Sequence, residues 1–239
     1  MAPDPSRFSL VCLALAALAA CAPGDCGIIR AQTEWRASKA LERCAAKGDA
    51  KAQSLLGMIH WSAGRAQHMK CTVDPNSSFD PRTLAESDAC QRVPANPKNF
   101  GLPEAMSVAD LNARGRTLLE AAAASGDAIA LNELGLASLE ALNGTPVDYA
   151  AARSWFDRAS AAGDSIAPFN LARMHHAGLG APRDDAAADR ELALSQERGY
   201  ASAACARLVI AARARGEPVA SDAAECTRAD LPAEFRAAP

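Results

Sequence analysis

The sequence predicts an all-α fold, an α-solenoid of antiparallel helix pairs, and two observations support this class. Aromatic residues make up only 5% of the 239-residue chain, and no stretch alternates apolar with polar β-branched residues as a strand would. A Gly-Asp pair also recurs at Gly48, Gly126 and Gly163, with a Gly-Tyr copy at Gly199. The spacings of 37 and 36 residues are one helix–turn–helix unit each, and the spacing of 78 is one unit plus an insertion of about 41 residues.

The chain begins with a predicted export signal. Its apolar run, residues 8–20, is shorter than the roughly 20 residues that span a membrane. The run ends in Leu18-Ala19-Ala20-Cys21, which resembles a bacterial lipobox, so residues 1–20 are expected to be removed and Cys21 lipidated. The protein is then expected in the bacterial periplasm, anchored by lipid to the outer membrane. An ordinary cleaved signal with a chance cysteine is the alternative.

The repeat array is placed at residues 32–215, between a linker at 21–31 and a C-terminal tail at 216–239. Each turn glycine is expected to end a helix in the left-handed conformation, and the next residue to cap the following helix. Aligned on this glycine, a leucine predicted to be core is followed by a small residue that lets two helices approach closely. The leucines are Leu56, Leu134 and Leu171, and the small residues are Gly57, Gly135 and Ala172.

An insertion at residues 65–107 interrupts the first repeat. It contains five prolines, which break any long helix. A structureless loop of this length is unusual in a compact array unless it is functional or cross-linked. The insertion is therefore either a lid or partner-specific arm, or a tolerated surface excursion.

The cysteines agree with export. Apart from Cys12 in the signal and Cys21, six remain, which allows up to three disulfides and 15 full pairings. Near neighbours across loops are the preferred pairs because their loops cost least to close. We predict Cys71–Cys90, Cys205–Cys226 and Cys26–Cys44, with small buried apolar residues on helices as the alternative for Cys44 and Cys205. The second bridge would fold the tail over the last apolar face as a cap.

The segment 148–180 resembles the Sel1-like repeat family, a relative of tetratricopeptide repeats. It has the paired aromatics Trp155-Phe156, the Gly-Asp turn, Asn170-Leu171, a methionine, two ring positions and a Gly-x-Gly loop. The resemblance implies about four helix pairs between Gln32 and Arg215 in a right-handed superhelix. It also implies a concave face lined by the helices that follow the Gly-Asp turns, starting near residues 50, 128, 165 and 201.

No catalytic or cofactor site is predicted. The chain has no nucleophile-elbow, zinc-protease or phosphate-loop motif. His60 and His175 align across repeats, and His176 aligns with Trp61, so these are ring positions of the repeat rather than metal ligands. A net charge of −3 gives the chain no electrostatic reason to bind nucleic acid.

We therefore expect a non-catalytic scaffold that binds a peptide or helix of an envelope protein on its concave face. The residues predicted to bind are Glu133, Leu136, Asn170, Arg173 and His176, which are expected to be solvent-facing and cheap to replace, within about 0.5 kcal/mol. The alternative is an enzyme, because a cysteine-rich subgroup of Sel1-like proteins has been associated with binding and hydrolysing penicillin-type compounds. That subgroup has one disulfide per repeat, and the repeat from Asp148 to Asp184 has no cysteine.

Overall fold

The computed structural model describes residues 36–71, 90–216, 231, 232 and 235, and the chain divides into two compact units, Met1–Ala121 and Ala122–Pro239. The described part contains eight α-helices, so the predicted helical solenoid class is confirmed. The helices are α1 (Lys39–Ala46), α2 (Ala50–Arg65), α3 (Val108–Ala124), α4 (Ala128–Glu140), α5 (Tyr149–Ala161), α6 (Ala167–Ala177), α7 (Asp185–Glu197) and α8 (Ala201–Ala214).

The expectation that no segment forms a strand is wrong at the insertion. Strands β1 (Gln67–Cys71) and β2 (Cys90–Pro94) pair antiparallel, and a hydrogen bond from Ala95 N to Ala66 O extends their ladder. Neither strand sequence, QHMKC or CQRVP, alternates apolar with polar residues along its whole length, so the pattern gave no strand signal.

The second half of the insertion belongs to the core of the first unit and is not a surface excursion. Leu102 is buried with Leu41 and Ile59 of α1 and α2, and Phe100 packs against the same cluster. The amide of Ala37 donates to Phe100 O at 2.7 Å. A short 3-10 helix, Pro97–Phe100, ends two residues before Leu102. Residues 72–89, the middle of the insertion, lie outside the described residues.

The turn glycines adopt the conformation predicted from the repeat. Gly48, Gly126, Gly163 and Gly199 all have φ between 79° and 91°, which side chains disfavour. Asp49 and Asp127 then accept the amides of Ala52 and Ala130 at 2.8 and 2.9 Å and cap α2 and α4. The Gly-Asp signal is therefore a helix stop followed by a helix start.

The glycines after Leu56 and Leu134 are points of close helix contact, as predicted. A Cβ at Gly57 would lie 2.8 Å from Leu119 Cγ, and one at Gly135 would lie 2.5 Å from the Phe156 ring. Both distances are shorter than carbon atoms tolerate. The glycines thus allow α2 to pack on α3 and α4 to pack on α5.

The core of the second unit includes part of the C-terminal tail. Phe169, Leu192, Ala206 and Val209 from α6, α7 and α8 pack in one buried cluster with Leu231 and Phe235. The Phe235 ring is completely buried, and its centroid lies 5.3 Å from that of Phe169. The tail therefore supplies apolar contacts that a further repeat would otherwise make.

Candidate interaction face

The helices that follow the turn glycines carry the predicted binding residues in equivalent positions. In the second unit, the positions seven and ten residues after the glycine are Glu133 and Leu136 on α4, Asn170 and Arg173 on α6, and Ala206 and Val209 on α8. These six residues are called the groove strip below. Glu133 and Leu136 are half-buried, whereas the other four are buried.

The expectation that Asn170, Arg173 and His176 face solvent is wrong. Their exposed fractions are only 2%, 7% and 4%. Burial of a polar side chain is unfavourable unless its hydrogen bonds are made inside the protein. The three side chains are therefore part of the packing of α6, and their role has to be derived from their partners.

Asn170 and Arg173 belong to a buried polar chain that joins α4 to α6. The Asn170 Nδ2 donates to Asn132 Oδ1 at 2.9 Å, and the Arg173 Nη1 donates to Asn170 Oδ1 at 3.2 Å. The Arg173 Nη2 also pairs with Glu140 Oε1 at 2.8 Å. Sequence reasoning missed Asn132 and Glu140, because neither aligns with Asn170 or Arg173 in the repeat register.

His176 is held between polar groups of α7 and α8. Its Nδ1 lies 2.6 Å from Asp185 Oδ1, and the Arg213 Nη1 lies 3.4 Å from its Nε2. A guanidinium can only donate, so Nε2 accepts and Nδ1 carries the proton that Asp185 accepts. One face of this oriented imidazole stacks on Phe235, with ring centroids 5.4 Å apart and an interplanar angle of 20°.

The other ring positions of the repeat also serve packing. Trp61, which aligns with His176, is buried and donates from Nε1 to Asn112 O at 3.0 Å. The His60 Nδ1 bonds to Leu56 O at 2.8 Å, and burial lowers the pKa of this histidine. Burial and the neighbouring Arg153 likewise lower the pKa of His175. Among the described residues, no three histidine, cysteine or carboxylate side chains come together as metal ligands would.

Cys44 and Cys205 are both disulfide-bonded. Cys26 and Cys226, the partners predicted for them, lie outside the described residues, so both pairings stay predictions. Cys71 and Cys90 are directly opposite each other in the β1–β2 ladder. Opposed residues of an antiparallel pair have Cα atoms about 4.5–5.5 Å apart, within the range that a disulfide spans. That backbone register is compatible with the third predicted pair.

One stripe of α4 remains open to solvent. Ile129, Glu133, Leu136 and Glu140 follow each other at intervals of four, three and four residues and so lie on the same helix face. Ile129 is 50% exposed and Glu140 is exposed, while the two residues between them are half-buried. The stripe alternates apolar and acidic groups. This surface, the α4 stripe, could bind a helix that has apolar and basic residues.

Residues 128–164 and 165–188 match the sequence model of the Sel1 repeat. These two segments are similar to Sel1 repeats. They run from α4 into the first turn of α7 and hold both the α4 stripe and the buried Asn170–Arg173 pair. No curated protein matches the chain significantly.

The solved structures that are similar to this chain include the following two. A Sel1 repeat protein from Oxalobacter formigenes is 21% identical, with a TM-score of 0.52, over 78% of this chain and 57% of the other. The protective antigen c5321 of uropathogenic Escherichia coli, which displays an SLR fold, is 16% identical over 76% of this chain and 45% of the other, with a TM-score of 0.22. This chain therefore spans 57% of the length of the Oxalobacter structure, and that likeness supports the Sel1-type fold.

Proposed function

We propose that this protein is a non-catalytic interaction scaffold of the bacterial cell envelope, which binds a helical segment of a partner protein on the α4 stripe. Proteins with Sel1 repeats are typically protein-interaction scaffolds. The observation that carries the proposal is that exposed Ile129 and half-buried Leu136 lie on the same helix face as Glu133 and Glu140. Equivalent positions on α6 and α8 are buried, so α4 offers the open part of the groove strip.

The envelope location rests on the sequence. A lipid at Cys21 would hold the scaffold at a membrane surface, and two or three acyl chains give stable anchoring. Among the described residues, no helix has both the length and the apolar content to cross a membrane. Disulfide-bonded Cys44 and Cys205 are in keeping with an oxidising compartment such as the periplasm.

The stripe favours a particular partner chemistry. Apolar Ile129 and Leu136 are spaced seven residues apart and would take apolar side chains from one face of a helix. Glu133 lies between them, and Glu140, which also pairs with Arg173, follows Leu136; these carboxylates would favour lysine or arginine in the bound segment. An amphipathic, basic helix therefore fits this surface best.

Photocrosslinking in living cells tests the proposal. A photoreactive residue placed at Ile129 or Leu136 should give the same crosslinked partner, because both positions lie on the α4 stripe. Ser154, an exposed position on α5, is the matched control and should not give that product. Absence of a product from both stripe positions, or the same product from Ser154, would contradict the proposal.

The enzymatic alternative has no support from the described structure. The matched repeats, residues 128–188, contain no cysteine, whereas the disulfide-rich subgroup has a bridge in each repeat. Purified protein should leave a chromogenic β-lactam intact. Hydrolysis or stoichiometric loss of that compound would restore the alternative.

A further inference from the structure

We infer that the helix bound by the α4 stripe is α8 of a second copy of this chain, so that copies associate head to tail. The inference deepens the proposed function and rests on it, because it names the partner of the same stripe. Both helices belong to the second compact unit. Two observations carry the inference: an exposed leucine in the middle of α8, and the opposite charges of α4 and α8.

Leu208 lies nine residues after its turn glycine, Gly199, at a repeat position that elsewhere holds a small residue. Those small residues are Gly57, Gly135 and Ala172. Gly135 is packed against the Phe156 ring of the next helix, and Ala172 is fully buried. Leu208, by contrast, is 53% exposed. The face of α8 that corresponds to a helix contact in the earlier repeats therefore presents a large apolar side chain to solvent.

Small residues flank Leu208 on this face of α8. Ala204 and Ala211 lie four residues before it and three after it, and exposed Arg215, the C-cap residue, continues the same face. These four residues are called the α8 stripe. Their intervals of four, three and four residues equal those of the α4 stripe. Because its neighbours are alanines, Leu208 projects beyond the rest of the stripe.

The apolar groups of the two stripes are complementary in shape. Leu136 on α4 is half-buried, so a bound helix has to approach closely to reach it. Alanines on both sides of Leu208 permit that approach, as small residues do at the helix contacts within the array. Leu208 would then lie between Ile129 and Leu136 and would cover apolar surface that is now open, including part of the 50% exposed Ile129.

The charges of the two helices are complementary as well. Helix α4 contains two glutamates and no lysine or arginine, whereas α8 and its C-cap contain three arginines and no carboxylate. Glu140 and Arg207 also pair within their own copy, with Arg173 and Asp189, but both side chains are 39% exposed and their charges stay accessible. A contact between two α4 or two α8 helices would bring like charges together. The contact between α4 and α8 is therefore favoured.

A contact between two different surfaces is head to tail, so one stripe of each kind stays open at the ends of a pair. A single helix pair buries less than the roughly 1,200 Å² of a stable interface, so the association is transient in solution. A lipid at Cys21 would hold copies on one membrane, where a higher effective concentration would favour the contact.

Sedimentation velocity of the full chain tests the inference. Every sample carries Cys21→Ser, so that no lipid causes association. Ile129→Lys blocks the α4 stripe and Leu208→Glu blocks the α8 stripe, at positions exposed enough to keep the fold. The parent should associate as its concentration rises, and each variant at least about tenfold more weakly. Val147→Lys, at a position that is also 50% exposed but outside both stripes, is the matched control and should associate as the parent does.

A mixture of the two variants distinguishes head-to-tail association from the other arrangements. Ile129→Lys keeps its α8 stripe and Leu208→Glu keeps its α4 stripe, so the mixture should form a one-to-one dimer that does not grow. A monomeric mixture, or a monomeric parent, would overturn the inference. Undiminished association of either variant alone would also overturn it, since that result requires contact between like surfaces.

The salt dependence of the parent needs no variant. Raising the salt from about 0.05 M to about 0.5 M should weaken its association, because screening reduces the attraction between the two helices. Association that is unchanged by salt contradicts the inference.

Failure of this inference can be told apart from failure of the proposed function. A cellular crosslink from Ile129 or Leu136 that joins two copies of the chain supports the inference. A crosslink to a different protein, together with a monomeric purified chain, overturns the inference and leaves the proposed function standing. Absence of any crosslink from the stripe contradicts the proposed function, whereas the purified mixture decides the inference.

Discussion

Replacing Arg173 by methionine distinguishes a buried structural arginine from a surface one. Methionine keeps most of the side-chain volume, so the change removes polar interactions without opening a large cavity. Asn170 Oδ1 loses the donor at 3.2 Å and is left buried, which costs about 1–3 kcal/mol. Glu140, whose side chain is 39% exposed, can be rehydrated and adds less than about 1 kcal/mol. We expect a loss of about 2–3 kcal/mol.

Urea unfolding followed by circular dichroism measures this loss. With an m-value of about 2 kcal/mol/M, the midpoint should fall by about 1–1.5 M at an unchanged m-value. Arg173→Glu should fall further, because a second carboxylate would then lie near Glu140 in a poorly solvated site. Arg190→Met, at an exposed position on α7, is the control and should change stability by less than about 0.5 kcal/mol. A midpoint for Arg173→Met equal to that of the control would refute the reasoning from burial.

Four further outcomes are expected. Gly135→Ala should lower stability by about 1–3 kcal/mol, since its Cβ would lie 2.5 Å from the Phe156 ring, and adding Phe156→Leu should recover part of the melting temperature. Burial lowers the pKa of His60 below the ordinary 6.5, so the unfolded state binds the proton more readily, and stability should fall as the pH drops below 6.5. His60→Gln should reduce the difference between the urea midpoints at pH 7.5 and pH 5.5, and an equal difference in both proteins would exclude His60 as the cause. Wild-type protein should enter the detergent phase of a Triton X-114 separation and Cys21→Ser the aqueous phase, and aqueous behaviour of both would contradict lipidation. Non-reducing peptide mapping should link Cys205 to Cys226, Cys71 to Cys90 and Cys26 to Cys44, with other partners for Cys205 or Cys44 refuting those pairs.

The repeat register could be predicted from the sequence because it depends on local backbone requirements. Gly163 has to adopt φ of 91° to end α5, and Asp164 accepts the amides of Ile166 and Ala167 at the start of α6. Glycine and aspartate are preferred at these positions for reasons that involve only neighbouring residues. The core leucines could be predicted from the same repeat, because Leu134 and Leu171 are separated by one repeat length of 37 residues.

Whether each residue of the groove strip is buried or exposed could not be predicted in the same way. The repeat period identifies equivalent positions, but it does not predict which of them are covered by other segments of the chain. Arg173 pairs with Glu140, 33 residues earlier, and Asn170 with Asn132, 38 residues earlier, so neither pair obeys the 37-residue offset. Polar side chains on a helix face suggest exposure unless their distant partners are known.

The sequence by itself determined the helix pairs, their turns, their caps and the glycines at close helix contacts, because these depend on backbone conformation and on residue size. Only the tertiary structure decided which part of the groove strip is open. The tail residues Leu231 and Phe235 are separated from α6 by more than 50 residues of sequence, yet both are buried in one cluster with Phe169, and Phe235 also stacks on His176. Burial is a property of the folded chain, since it depends on every segment that comes to lie over a residue.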